Sequence, residues 1–267
     1  MSRVIVITSG KGGVGKTTSS ANLGMGLASL GQKVVLIDAD FGLRNLDLLL
    51  GLENRIVYTA QDVLAGNCRL EQALVKDKRQ PNLALLPAAN NRMKESVTPE
   101  QMRQLIDMLK PLFEFVLIDS PAGIETGFQN AIAAAEEAVI VTTPEIAAVR
   151  DADRVIGLLE ANDIRKAQLI VNRLRPAMVA SNDMMSVSDV QEILAIPLVG
   201  IIPDDEQVIV STNRGEPLVL AEDPSLAGTA YRNIARRLQG EDVDFIDLDA
   251  RSKGLRQRIK SFFQKNR

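Results

Sequence analysis

Residues Gly10 to Thr18 read G-K-G-G-V-G-K-T-T and fit the pattern G-x-x-x-x-G-K-[ST], with Gly10, Gly15, Lys16 and Thr17 on its fixed positions. Gly12, Gly13 and Gly15 let the backbone turn tightly and aim its N–H groups at phosphate oxygens, with Val14 between them. In such a phosphate loop Lys16 would neutralise the β- and γ-phosphates, and the hydroxyl of Thr17, followed by Thr18, would ligate Mg²⁺. A second cation, Lys11, stands directly after the first glycine.

The pattern needs a buried strand before it and a helix after it. Arg3-Val4-Ile5-Val6-Ile7-Thr8 is a short β-branched run suited to a buried parallel strand. From Thr17 to Leu30 the apolar residues recur at helical steps, and Gly31 stands where a helix stops. Further apolar runs predict strands at Lys33–Asp38, Asn82–Leu86, Phe115–Asp119, Ala138–Thr143, Gln168–Asn172 and Pro197–Ile202. Between them Thr98 to Leu109, Ala147 to Ala161, Val187 to Leu194 and Leu226 to Leu238 show helical spacing. Thr98 and Gln101 form a capping-box pair there, with Pro99 at the first helical position. Alternating strands and helices predict an α/β fold: one P-loop NTPase domain over residues 1–240, its mostly parallel, twisted sheet flanked by helices.

Two predicted strands close on carboxylates. Val34-Val35-Leu36-Ile37-Asp38 leads into Ala39-Asp40, and Phe115-Val116-Leu117-Ile118-Asp119 has the Walker B form. Acids at strand carboxyl ends lie on the rim where open α/β sheets bind ligands. Asp119 would hold Mg²⁺ directly or through water. The alternative for each Asp is a helix N-cap or a turn former. No N-K-x-D segment is present, which argues against GTP and leaves ATP as the better nucleotide.

Composition narrows the chemistry. With no histidine, His-based acid–base catalysis and imidazole metal sites are excluded. Cys68 is the only cysteine, so no intrachain disulfide or chain-contained Fe–S cluster can form, and it reads as a reduced thiol in or near the core. The first strand begins at residue 3, so the amino terminus reads as structural and not as a cleavable signal. No apolar run approaches the ~20 residues of a membrane span.

The net charge of −3 is unevenly spread. Arg251 to Arg267 holds seven Lys/Arg and no acid, leaving 24 basic against 34 acidic side chains elsewhere, a balance of −10. Residues 241–252 read as an acidic linker that stays in solvent, and 253–267 as a basic amphipathic helix. In that tail Leu255, Ile259, Phe262 and Phe263 stand at i, i+4, i+7 and i+8, one stripe of a helix whose other faces are cationic. Such a helix suits an anionic membrane surface. The alternatives are docking on the protein's own body or in a partner's groove.

The loop with Lys11 and Lys16, Asp38-Ala39-Asp40, Asp119-Ser120-Pro121-Ala122-Gly123, Asn172-Arg173 and Pro203-Asp204-Asp205-Glu206 together resemble the deviant Walker A ATPases, a family that includes ParA and the nitrogenase iron protein. The resemblance covers essentially the whole chain. Asp40-Phe41-Gly42-Leu43-Arg44-Asn45-Leu46-Asp47 and the basic tail are most similar to the family's division-site selectors. The resemblance implies an Mg²⁺-dependent ATPase that forms a homodimer when ATP is bound. Lys11 is then expected to reach the other subunit's phosphates, Lys16 its own, and Asp40 to orient the attacking water. Asp38, Asp119 and Thr17 would serve the metal. Asn172 and Arg173, with Pro203, Asp204 and Glu206, would frame the adenine.

The implied setting is cytoplasmic and peripheral, on the inner face of the cell membrane. Two partners are implied, a division inhibitor recruited while ATP is bound and an activator of hydrolysis, and no nucleic acid. The helix carrying Arg150, Asp151, Asp153 and Arg154 reads either as part of that partner face or as a solvated charged helix. A DNA-partitioning ATPase of the ParA kind is the competing reading. It would need basic patches that an acidic body does not offer. An electron-transfer relative would need two cysteines per subunit, and a tyrosine-kinase relative a C-terminal tyrosine cluster; both are absent.

Overall fold

The computed structural model describes residues 2–40, 45–87 and 97–248. Its strands are β1 (Arg3–Thr8), β2 (Val34–Asp38), β3 (Val75–Lys76), β4 (Leu83–Leu86), β5 (Phe115–Asp119), β6 (Glu137–Thr142), β7 (Lys166–Leu174) and β8 (Leu198–Pro203). They form one eight-stranded sheet in the order β3-β4-β2-β5-β1-β6-β7-β8. Every pairing is parallel except β3 with β4. Parallel strands buried on both faces need unbroken apolar runs, and the central strands here supply them.

The helices are α1 (Lys16–Ser29), α2 (Leu46–Leu49), α3 (Ala60–Leu64), α4 (Leu70–Ala73), α5 (Pro99–Leu109), α6 (Thr126–Ile132), α7 (Ile146–Ala161), α8 (Pro176–Ala180), α9 (Val187–Leu194), α10 (Gln207–Arg214) and α11 (Leu226–Leu238). Side chains alternate across each strand, so Val4 and Val6 enter one core layer while Ile5 and Ile7 enter the other. The first layer is closed by α3 to α7 and α9, with Phe128 fully buried in it. The second is closed by α1, α2 and α11, with Tyr231 at its centre.

The expected strands and long helices appear within two residues of their predicted ends. The Thr98–Gln101 capping box is formed, Gln101 N–H donating to Thr98 Oγ1 at 3.2 Å and Thr98 N–H to Gln101 Oε1 at 2.9 Å. The edge strand β3 was not anticipated, because two residues carry no periodic signal. Nor were the short helices α2, α3, α4, α6, α8 and α10.

Two of these connections meet where Gly51 and Gly215 cross. Both have positive φ, and a Cβ on Gly215 would lie 2.7 Å from Gly51 Cα. Arg79 staples the crossing by donating to the carbonyls of Leu50 at 2.6 Å and Gly215 at 2.9 Å while paired with Asp77 at 2.6 Å. One expectation needs correcting. The acidic segment after Gly240 keeps Glu241, Asp242, Asp244 and Asp247 exposed as expected, but up to residue 248 it is not a free linker, because Arg237 binds its backbone and Ile246 and Leu248 pack on the core. Its remainder, residues 249–252, and the tail residues Leu255, Ile259, Phe262 and Phe263 lie outside the described residues, as do Phe41 to Arg44.

Candidate nucleotide-binding site

The chain lays β2, β4 and β5 on one side of β1 and β6, β7 and β8 on the other. Ligands of open α/β sheets bind at the carboxyl-end crevice where strand order reverses. Here the phosphate loop leaves β1 and hands over to α1 at Lys16. Gly13 and Gly15 have φ of 78° and 100°, in the left-handed region. At Gly15 a side chain is doubly excluded, since a Cβ would overlap the Asn172 amide nitrogen. A Cβ on Gly10 would overlap the backbone of Asp151 in α7. Gly12 departs from the expectation that the turn needs a glycine there. It is exposed and outside the left-handed region, and an added Cβ would meet only the Ala122 methyl at 3.9 Å, an ordinary contact. The fold therefore leaves room for a side chain at Gly12.

The loop is wedged between the end of β7 and α7. Asn172 Nδ2 donates to the Val14 carbonyl at 2.7 Å, and Ser9 Oγ donates to the Lys11 carbonyl at 2.8 Å. These bonds hold the loop's backbone to groups of the chain itself.

Lys16 is only 8% exposed. Asp38 and Asp119 stand in register on adjacent strands, and both are buried. Ser20 Oγ donates to Asp119 Oδ1 at 2.7 Å, and the Thr17 side chain also bonds Asp119. Asp38 Oδ1 accepts from the Asp40 amide at 3.0 Å. Burial, and then the neighbouring Asp119 carboxylate, pushes the Asp38 carboxyl up to about 8. Burial pushes Asp119 up to about 6 against the opposing pull of Lys16, Ser20 and Thr17. Lys16 does not fully offset the burial of two carboxyls side by side, and a hard divalent cation arriving with a triphosphate would add the missing positive charge. Among the described residues no group of three or more His, Cys, Asp or Glu could cage a metal. That suits Mg²⁺, which is held by one or two carboxylates together with phosphate oxygens and waters.

The residues expected to frame the base lie further along the same rim. The β7–β8 register shifts between Val171 and Leu174, and Arg173 takes φ 57° within that shift. Asn172 Oδ1 accepts from the Arg173 amide at 2.9 Å, so both ends of this side chain bond to backbone. Pro203 ends β8, and Asp204 and Glu206 after it are exposed. Asp204 pairs with Arg175 at 2.6 Å. Lys11 is about half exposed, and its Nζ lies 3.3 Å from Glu145 Oε2.

Sequence reasoning missed Ser9, Ser20 and Glu145. Ser20 could have been found, because it sits one helical turn after Lys16 on the face that looks at Asp119. Glu145 is brought to Lys11 by the turn before α7, which no local pattern marks. Cys68 is half-buried against the first core layer, with its thiol pushed up by burial and by nearby Asp62.

A phosphate loop on the central strand, facing paired carboxylates, defines a P-loop NTPase. The AAA domain family model matches residues 2–171. The septum site-determining protein MinD of Synechocystis sp. is 65% identical over 97% of this chain and 98% of its own. Among solved structures, the MinC:MinD cell division protein complex of Aquifex aeolicus superposes with a TM-score of 0.85 at 51% identity, covering 91% of this chain and 98% of that one. MinD of Pyrococcus horikoshii complexed with Mg-ADP gives 0.81 at 33% identity, over 89% of this chain and 96% of that one. The chain belongs to the MinD family of septum-site-determining ATPases, within the deviant Walker A (MinD/ParA) group.

Proposed function

We propose that this chain is an ATP-switched peripheral membrane ATPase that helps place the division site. The observation that carries the reading is the convergence of the phosphate loop, Lys16, Thr17, Asp38 and Asp119 on one rim. Lys16 and the loop amides would hold the phosphates. Thr17 and Asp119, with Asp38 behind them, would hold Mg²⁺. Asp40 would orient water towards the γ-phosphate. Lys11, exposed on the same rim, is suited to reach a second subunit's phosphates, so that triphosphate joins two copies and hydrolysis releases them.

Membrane residence follows from this pairing. Each fully buried apolar side chain of the tail contributes roughly 1.5–3 kcal/mol. Each cation near an anionic leaflet adds about 1 kcal/mol. Ordering the segment opposes binding by roughly 1–2 kcal/mol per residue. One tail therefore holds weakly, whereas two on an ATP-closed dimer gain ~10² or more in avidity. Among the described residues no helix is long and apolar enough to cross a membrane.

A MinC-like inhibitor and a MinE-like activator are the proposed partners. Ile146, Arg150, Asp153 and Arg154 of α7 are exposed, and α7 touches Gly10 through Asp151, so a partner on that helix would feel the loop. The test is co-sedimentation with anionic vesicles of the intact chain and a chain ending at Leu248, each with ADP and with a non-hydrolysable ATP analogue. Only the intact chain with the analogue is expected in the pellet. Equal pelleting of the shortened chain would overturn the reading. Binding to DNA in place of vesicles would favour the ParA-like alternative.

A further inference from the structure

We propose that residues 241–248 are a positioning strap that seats the root of the tail at the nucleotide rim, a role that rests on the membrane reading of the tail. Helix α11 finishes at the opposite, amino end of the sheet, where the Leu238 carbonyl accepts from Arg3, the first residue of β1. A free linker would launch the tail from that pole. Instead Gly240, at φ 96°, turns the chain back along β8, the outermost strand.

Arg237 grips the segment at several points. Its Nε donates to the Val243 carbonyl at 2.9 Å and one Nη to the Asp244 carbonyl at 2.7 Å. The other Nη donates to the Val199 carbonyl of β8 at 3.0 Å, and the guanidinium lies 4.1 Å from the Phe245 ring centroid. Beyond Phe245 the strap crosses the sheet edge, because Ile246 packs on the α1/α11 core layer and Leu248 on the opposite one.

Leu248 reaches a 410 Å³ groove that it shares with Leu174, Pro176, Val179, Ala180 and Val187. Leu174 is part of the rim: its carbonyl accepts from the Asp204 amide at 3.0 Å, two residues after Asn172 holds the phosphate loop. Eight extended residues span about 26 Å, enough to run the length of β8 from pole to pole.

The consequence is a short tether that starts at the carboxyl rim, where the two copies are proposed to meet. With the strap seated, four residues separate Leu248 from Lys253, a root-mean-square chain reach of about 11 Å at 5–6 Å × √n. Released at Gly240, the tether has twelve residues, a reach of about 19 Å, and starts from the amino end of the sheet. Effective concentration of the second tail falls with tether length and vanishes where geometry forbids both tails to engage.

The experiment uses the full chain. Backbone ¹⁵N order parameters are measured on residues 241–248, and co-sedimentation uses phosphatidylcholine vesicles containing one-third phosphatidylglycerol with the ATP analogue. Residues 243–248 are expected to approach the order parameter of about 0.85 that marks rigid backbone, against below about 0.6 for a flexible segment. Ile246→Ser with Leu248→Ser should lower them into the flexible range and lower the vesicle-bound fraction at least fivefold, with nucleotide affinity unchanged. A chain with a twelve-residue Gly-Ser insert after Leu248 keeps the seat, and its binding should fall in the same direction. Order parameters of a flexible segment in the parent, or variants that pellet like the parent, would overturn the strap while the tail reading stands. Pelleting of a chain ending at Leu248 as well as the parent would overturn the tail reading itself, and the strap's role with it.

Discussion

At the amino end of the sheet Arg3 meets the Glu137 carboxylate at 2.6 Å, the Leu238 carbonyl and the face of Phe115 at 5.2 Å. At the carboxyl end Asp38 and Asp119 stand beside each other, buried and short of positive charge. The amino end also holds a cleft of 780 Å³ lined by Arg3, Lys33, Lys110 and Glu114, none of them among the phosphate-loop or carboxylate residues. Volume therefore does not locate the site. At one end polar groups are arranged to satisfy each other, and at the other they are arranged to be completed by a ligand. A fold tolerates the second arrangement because the first, together with two apolar layers, offsets it.

Substitutions at the two ends should fail in different ways. The strongest should be Lys16→Ala, which is expected to weaken nucleotide binding by about 10²-fold, roughly 3 kcal/mol, with little change in melting temperature. Arg3→Ala should do the reverse, costing about 2 kcal/mol of stability and leaving affinity within about twofold. Titration with a fluorescent ATP analogue and urea unfolding of both variants check the pair. A matching loss of affinity in Arg3→Ala would erase the contrast.

The Arg79 staple predicts a stability effect that depends on pH. Despite burial, hydrogen bonds and charge from Arg79 hold the Asp77 carboxyl below its ordinary value. A depressed carboxyl contributes stability that is present above the unfolded value near 3.8 and is lost as pH falls through the lower folded value. Arg79→Met should then cost about 2 kcal/mol at pH 7, with the gap to the parent narrowing below about pH 4. Urea midpoints at pH 7 and below 4 measure it, and a constant gap would show that Asp77 is not the partner that matters.

The weakest effect should have the opposite sign. Asp38→Asn removes a carboxylate from a site that disfavours it, so the nucleotide-free chain should gain about 1 kcal/mol, or roughly 2–4 °C in melting temperature. The same variant should lose the Mg²⁺-dependent part of nucleotide affinity. A drop in melting temperature would mean that the Asp38 charge is satisfied in the empty protein.

Much of this contrast was legible in the sequence. A phosphate loop, the runs ending at Asp38 and Asp119, and capped helices such as Thr98 to Leu109 are local patterns with local causes. Even inside the loop the pattern does not say which glycine the backbone needs: Gly13 and Gly15 take positive φ, and Gly12 does not. Contacts made by distant parts of the chain were not legible. Gly10 against Asp151, Gly51 against Gly215 and Lys11 beside Glu145 each join segments far apart in sequence. The linker misled for a related reason. Glu241, Asp242, Asp244 and Asp247 gave it the look of a solvated run, while its attachment lies in backbone carbonyls and in the alternate residues Ile246 and Leu248. Composition reports side-chain charge and is blind to a carbonyl that an arginine will bind.

Everything proposed for this chain rests on triphosphate at the carboxyl rim joining two copies through Lys11. Sedimentation velocity of the intact chain with Mg²⁺ and either ADP or a non-hydrolysable ATP analogue tests that pairing, with Lys11→Ala run alongside. A monomer is expected with ADP, a dimer with the analogue, and a monomer under both conditions for Lys11→Ala. The same mass with both nucleotides, or a Lys11→Ala chain that still dimerises with the analogue, would contradict it.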